Sequence, residues 1–172
     1  INDNASLNQQ TTVTKTVSQG LVANDRDLDL DTLTITAIRT GTETGSGSEG
    51  TVSTALTGTY GTLTLQSDGS YTYVADQAAA SALSLNVDGV DHFTYTISDG
   101  TVVDQGKLSL TVTGLNDAPT VTSPIADQAA YTDIPLTLNT ATAFTDVDGD
   151  TLSYSATLNG SALVEGDWLQ IN

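Results

Sequence analysis

The stretch Gly61-Thr-Leu-Thr-Leu-Gln-Ser-Asp-Gly-Ser-Tyr-Thr-Tyr-Val74 decides the fold class. Apolar side chains recur at Leu63 and Leu65, then at Tyr71 and Tyr73, with threonines between them. A period of two marks half-buried strands. The Ser-Asp-Gly between the runs reads as a tight hairpin turn in which Asp68 and Gly69 supply positive φ. Working outward, Thr11–Val17 and Thr32–Ile38 alternate in the same way on one side. On the other side His92–Ser98 and Thr101–Thr113 do so, hinged at Asp99-Gly100. Gly41–Gly50 has no periodicity and reads as a loop, and Ala75–Leu85 is the one helix-like stretch, about three turns at most. Roughly seven strands in about 115 residues predict an all-β, two-sheet sandwich.

Composition agrees and removes whole classes of function. Of 21 acidic residues all but Glu43, Glu49 and Glu165 are Asp, a residue of turns, caps and metal loops rather than helices. Only Lys15, Arg26, Arg39 and Lys107 are basic, so the net charge is −17 and no phosphate-binding face can form. Nucleic acid is therefore excluded as a partner. Zero Cys excludes a disulfide scaffold and thiolate metal sites. No apolar run approaches the length of a membrane span, and no charged-then-apolar leader opens the chain. With Ile1 first and no Met, the sequence reads as a piece of something longer.

The chain repeats itself. Ile1-Asn-Asp-Asn-Ala-Ser6 is echoed by Leu115-Asn-Asp-Ala-Pro-Thr120, an offset of 116 − 2 = 114. Asp27-Leu-Asp-Leu-Asp-Thr-Leu33 is echoed by Asp146-Val-Asp-Gly-Asp-Thr-Leu152, an offset of 146 − 27 = 119. An Asn-Asp followed by Asp-x-Asp-x-Asp thus occurs twice in the same order. Residues 1–115 read as one full repeat, and 116–172 as the first half of another. In the second, strands are expected at Thr120–Ser123, Pro135–Asn139, Leu152–Leu158 and Trp168–Ile171. A half sandwich leaves edges and an apolar face open, so it is not expected to be stable alone.

The acidic runs carry the chemistry. Asp25, Asp27, Asp29 and Asp31 lie two apart, as do Asp146, Asp148 and Asp150. On a straight strand such carboxylates would share one face and repel. In a curled loop their oxygens can converge on one hard cation, and calcium takes six to eight oxygens at about 2.3–2.6 Å. With no Cys and one His, zinc has no ligand set. Calcium is the expected ion. Leu30 stands where the second run has Gly149, which predicts a different curl and weaker binding in the first loop.

Asn116-Asp-Ala-Pro119, followed by Phe144-Thr-Asp-Val-Asp-Gly-Asp-Thr-Leu-Ser-Tyr154, resembles the start of a bacterial cadherin-like domain of the dystroglycan type. Residues 2–115 resemble the VCBS repeat of large bacterial surface proteins, through Leu21-Val-Ala-Asn-Asp25, Gly61–Val74, Phe93–Gly100 and Val112–Asp117. The resemblance implies Ig-like sandwiches strung in tandem, the second incomplete here, with calcium where consecutive domains meet. Carried over, one site would use Asn116, Asp117, Asp146, Asp148 and Asp150. Another would use Asn2, Asp3, Asp25, Asp27, Asp29 or Asp31, and Asp99. It also implies a secreted, cell-surface setting, with adjacent repeats of the same protein as partners. The expected role is a calcium-stiffened segment of an adhesin stalk or surface filament.

Other residues have plainer readings. His92 has no Gly-x-Ser-x-Gly elbow beside it and reads as a surface or packing His, so no enzyme activity is expected. Trp168 resembles a core Trp of the cadherin-like family. Tyr60, Tyr71, Tyr73 and Tyr95 lie on alternating strands, where one face is normally core. Were these aromatics exposed, a polysaccharide-binding module would be the alternative. A further alternative is homo-assembly, in which strands of a neighbouring chain complete the half domain.

Overall fold

The computed structural model describes residues 2–129, 131, 133–134, 136–158 and 161–162. The chain divides into two compact units, Ile1–Asp117 and Ala118–Asn172. The first is built from nine strands in two sheets. They are β1 (Asp3–Asn8), β2 (Thr12–Lys15), β3 (Thr34–Thr40), β4 (Glu49–Gly50), β5 (Ala55–Thr57), β6 (Thr62–Leu65), β7 (Tyr71–Val74), β8 (Asp88–Ser98) and β9 (Val103–Thr113). One sheet has the order β1-β9-β8-β3-β4 and the other β2-β7-β6-β5. Pairing is antiparallel except for β1, which runs parallel to β9 from Asp3↔Leu108 to Asn8↔Thr113. This is the expected all-β, two-sheet fold.

Alternation builds the core. Leu63 and Leu65 of β6, Tyr71 and Tyr73 of β7, and Phe93, Tyr95 and Ile97 of β8 are buried together with Leu108, Leu110 and Val112 of β9. Tyr73 meets Phe93 edge-on, with ring centroids 6.3 Å apart. Each such side chain contributes about 1.5–3 kcal/mol through burial, which holds the two sheets face to face. On the core-facing side of β8 lies a buried carboxylate. Asp91 accepts the N–H groups of Thr59 (2.7 Å), Tyr60 (3.0 Å) and Gly61 (3.1 Å), and the hydroxyl of Tyr73 (2.7 Å). Burial first, then the bond to Asp91 and its charge, push the Tyr73 phenol far up. A Cβ at Gly58 would come within 2.4 Å of the Asp91 carboxylate, so the turn can close over the charge only with glycine there.

Three sequence expectations change. Ala75–Leu85 forms one helical turn, α1 (Ala78–Ser81), rather than three. Ala80 and Leu83 are both buried, and the chain turns after Ala82 to place Leu83 in the core; a short helix with no further face to bury does not offset its nucleation cost. In the β6–β7 turn only Gly69 takes a positive φ (81°); Asp68 instead accepts the Ser70 N–H (2.9 Å) and hydroxyl (2.6 Å). The segment Gly41–Gly50, read as loop, ends in strand β4 (Glu49–Gly50) paired with Ile38 and Arg39 of β3, and Asp3-Asn-Ala-Ser-Leu-Asn8, whose polar sequence lacks β-formers and carries no strand pattern, forms β1.

In the second unit the described strands are two residues each. They are β10 (Thr120–Val121) paired with β11 (Phe144–Thr145), and β12 (Thr157–Leu158) paired with β13 (Ser161–Ala162). Residues 136–139 and most of 152–158 are not strand. Pro135, Trp168 and the strand expected at Trp168–Ile171 lie outside the described residues.

Candidate metal centre

The second acidic run follows β11 directly. Thr122 and Ser123 donate their N–H groups to the Ala143 carbonyl (2.9 and 3.3 Å), and the ring of Phe144 lies 6.0 Å from that of Tyr154. These contacts fix both flanks of the loop. Within it, the Asp146 carboxylate accepts the N–H groups of Asp148 (2.9 Å) and Asp150 (3.3 Å), and Gly149 takes φ 78°. The chain therefore curls around Asp146. One carboxylate oxygen from each of Asp146, Asp148 and Asp150 lies within 4.8 Å of the others, and no other such acidic group occurs among the described residues. Two oxygens on opposite sides of a calcium ion, each at about 2.4 Å, would stand about this far apart. The all-oxygen donor set of a cysteine-free chain fits a hard cation. Of the expected ligands Asp146, Asp148 and Asp150 are thus brought together, while Asn116 and Asp117 belong to the first unit.

Asp117 has a role the sequence did not announce. Its carboxylate accepts the side-chain N–H groups of Gln9 (2.7 Å) and Gln10 (3.3 Å), and Gln9 also donates to the Leu115 carbonyl (3.3 Å). Gln9 is buried, so the end of the first unit is pinned beside the end of β1. The Asn116 side chain donates to the Asp117 carbonyl (3.0 Å).

The first acidic run has the same backbone with a different outcome. Asp27 accepts the N–H groups of Asp29 (2.8 Å) and Asp31 (3.0 Å), and Leu30 takes φ 65° at the position matching Gly149. The expectation of a different curl is thus corrected. A leucine held in the left-handed region costs about 1–2 kcal/mol, and here the loop adopts that conformation regardless. Leu28 and Leu30 are almost fully exposed, at 98% and 89%.

The residues expected around this loop divide. Asp25, Asp27 and Asp99 line one open cavity of about 180 Å³, together with Tyr95 and with Asp104, which sequence reasoning missed. Asp104 sits opposite Ile97 at the start of β9, so the hairpin register was the signal that could have found it. Asp29 and Asp31 are exposed and do not line the cavity. Asp3 accepts the Tyr95 hydroxyl (2.8 Å) and the Asn24 amide (3.0 Å), while Asn2 accepts the Lys107 N–H (3.3 Å). Asp99 is a turn staple. It accepts the N–H groups of Val102 (2.7 Å) and Thr101 (2.6 Å) and the Thr101 hydroxyl (2.9 Å), which hold its carboxyl below the usual range. Asp25 is pushed the other way, by burial first and then by the charges of Asp3 and Asp104.

Aromatic placement completes the picture. Tyr71, Tyr73 and Tyr95 are buried and Tyr60 packs against the core. Burial and the Asp3 charge raise the Tyr71 phenol to about 12. His92 is half-buried, with its Nδ1 3.1 Å from the Ser109 hydroxyl. No described helix is long and apolar enough to cross a membrane.

No curated protein matches the chain. Among solved structures, an endo-fucoidan hydrolase of glycoside hydrolase family 107 matches with 22% identity and a TM-score of 0.41. The match covers 91% of this chain but 21% of that one, and it is too loose to bear on fold or activity. The family model of the bacterial cadherin-like domain matches residues 1–114. The sequence resemblance had placed the cadherin-like start at Asn116; the match places the family on the first unit, whose Asn-Asp and Asp-x-Asp order the second repeats. Such domains are structural or adhesion-type β-domains, non-catalytic and calcium-binding in general. With that match over 114 of its 172 residues and a two-sheet β fold beneath it, the chain belongs to the bacterial cadherin-like domain family.

Proposed function

We propose that the chain is a calcium-stiffened structural segment of a secreted bacterial surface protein, such as an adhesin stalk or filament, with adjacent repeats as its partners. The observation that supports it is the gathering of Asp146, Asp148 and Asp150 within 4.8 Å. Carboxylates this close repel by about 1 kcal/mol per pair in water, and by about 4 kcal/mol near a protein surface. A bound calcium ion converts that repulsion into attraction and fixes the loop. The residues 2–115 are read as a VCBS-type member of the family. Its burial of Tyr71, Tyr73 and Tyr95 favours a passive scaffold over a sugar-stacking face on the first unit.

Thermal unfolding in EDTA and across a calcium titration, with magnesium as control, tests the reading. A calcium-specific rise in melting temperature, removed by Asp146→Ala with Asp148→Ala, is expected. An unchanged transition would make the loop an ordinary solvated turn.

One feature favours a second reading. The second unit exposes Val121, Ile125, Ile134, Leu136 and Leu138, an apolar set that strands from a neighbouring chain could cover. Sedimentation velocity separates the two, since strand exchange predicts a concentration-dependent dimer and a plain stalk segment a monomer.

A further inference from the structure

We propose that the first unit bears tension along the chain, with β1 and β9 acting as a clamp loaded in shear. These are its first and last strands, paired in parallel from Asp3↔Leu108 to Asn8↔Thr113. A pull along the chain enters at Asn2 and leaves beyond Gly114, where the chain continues into the second unit. Because the pair is parallel, entry and exit lie at opposite ends of it. Every hydrogen bond of the ladder then shares the load at once. An antiparallel pair would place both points at one end, and its bonds would part singly, as in a zip.

The clamp is fastened beyond its ladder. At the entry end Asp3 is tied to Tyr95 and Asn24. At the exit end the Gln9 N–H donates to the Thr113 carbonyl (2.9 Å), and the Gln9 and Gln10 side chains hold Asp117. Packing resists sliding as well. Ala5 and Leu7 pack on the core opposite Leu110 and Val112, which are fully buried. A slip of one residue would turn Leu7 to the wrong face, and a slip of two, about 6–7 Å, would draw it from its site. β1 is otherwise polar and edge-placed, so its six-residue pairing to the last strand is explained by load better than by core building.

The chain has no cysteine, so paired cysteines give unique handles for single-molecule pulling on the full chain. Asn2→Cys with Asn116→Cys loads the pair in shear, whereas Asn8→Cys with Asn116→Cys peels it from one end. All three positions are exposed. The expected result is an unfolding force several-fold higher in shear, with release of about 110 residues, roughly 350–400 Å of chain. Equal forces in the two geometries, or a lower force in shear, would overturn the clamp. The inference takes its source of tension from the stalk reading. A melting curve indifferent to calcium would sink that reading and leave the force comparison intact, and equal forces would do the reverse.

Discussion

The two acidic loops share a backbone but not an arrangement of charge. In each, one aspartate (Asp27 or Asp146) accepts the N–H groups two and four residues on, and the residue three on (Leu30 or Gly149) is left-handed. In the second loop three carboxylates gather within 4.8 Å; in the first, two of the four turn to a cavity shared with Asp99 and Asp104 while Asp29 and Asp31 stay exposed. A spacing of two therefore encodes the curl, not the site. What stands beside the loop in the first unit is the β8–β9 hairpin, with two carboxylates of its own, Asp99 in the turn and Asp104 on β9.

The contrast can be broken most forcefully with metal. At calcium about 100 times its dissociation constant, one site adds about 2.7 kcal/mol to the unit that holds it. Calorimetry is expected to show that gain lost in Asp146→Ala with Asp148→Ala and kept in Asp29→Ala with Asp31→Ala. A gain lost in the second pair instead would reverse the assignment of the loops. In EDTA the sign inverts. Asp150→Asn is expected to stabilise its unit by about 1 kcal/mol through relief of repulsion, while Asp31→Asn changes stability by less than about 0.5 kcal/mol.

The left-handed positions sharpen the comparison further. Leu30→Gly removes strain but adds freedom to the unfolded chain, for a net gain of about 0.5–1 kcal/mol in chemical denaturation. Gly149→Leu is expected to lose a similar amount, purely from conformation, because a Cβ there meets nothing within 4 Å. The smallest effect is in pH. Asp25 has its carboxyl raised above 3.8 in the folded state, so its contribution is fully present below that pH and is lost as pH rises through the folded value. Asp25→Asn should therefore raise the melting temperature at neutral pH and leave it unchanged in acid. Asp99→Asn should do the opposite, because its lowered carboxyl stabilises the fold above 3.8 and that stabilisation fades with acidification.

Much of the fold was legible because much of it is local. The β6–β7 hairpin and the long β8–β9 pair announce themselves by alternation about a glycine turn. β1 does not, since Asp3-Asn-Ala-Ser-Leu-Asn8 becomes a strand only by pairing with residues about 105 positions away. The alanine-rich stretch at 75–85 erred the other way: its propensity exceeds what its neighbours let it realise. At the site, the ligand types and their spacing could be read directly. That Asp117 would be taken by Gln9 and Gln10 could not, because nothing in a Gln-Gln pair before a threonine strand says which carboxylate it will meet.

The buried Asp91 has a consequence for motion. Amides in a surface turn ordinarily trade hydrogen for deuterium within moments, because nothing but water holds them. Those of Thr59, Tyr60 and Gly61 are instead held by a buried carboxylate, on the longest strand pair among the described residues. Lifting them off leaves a buried carboxylate short of its donors, a cost that an ordinary surface turn does not carry. The turn thus exchanges more slowly than its place at the surface implies, and three loop amides report on whether Asp91 stays buried.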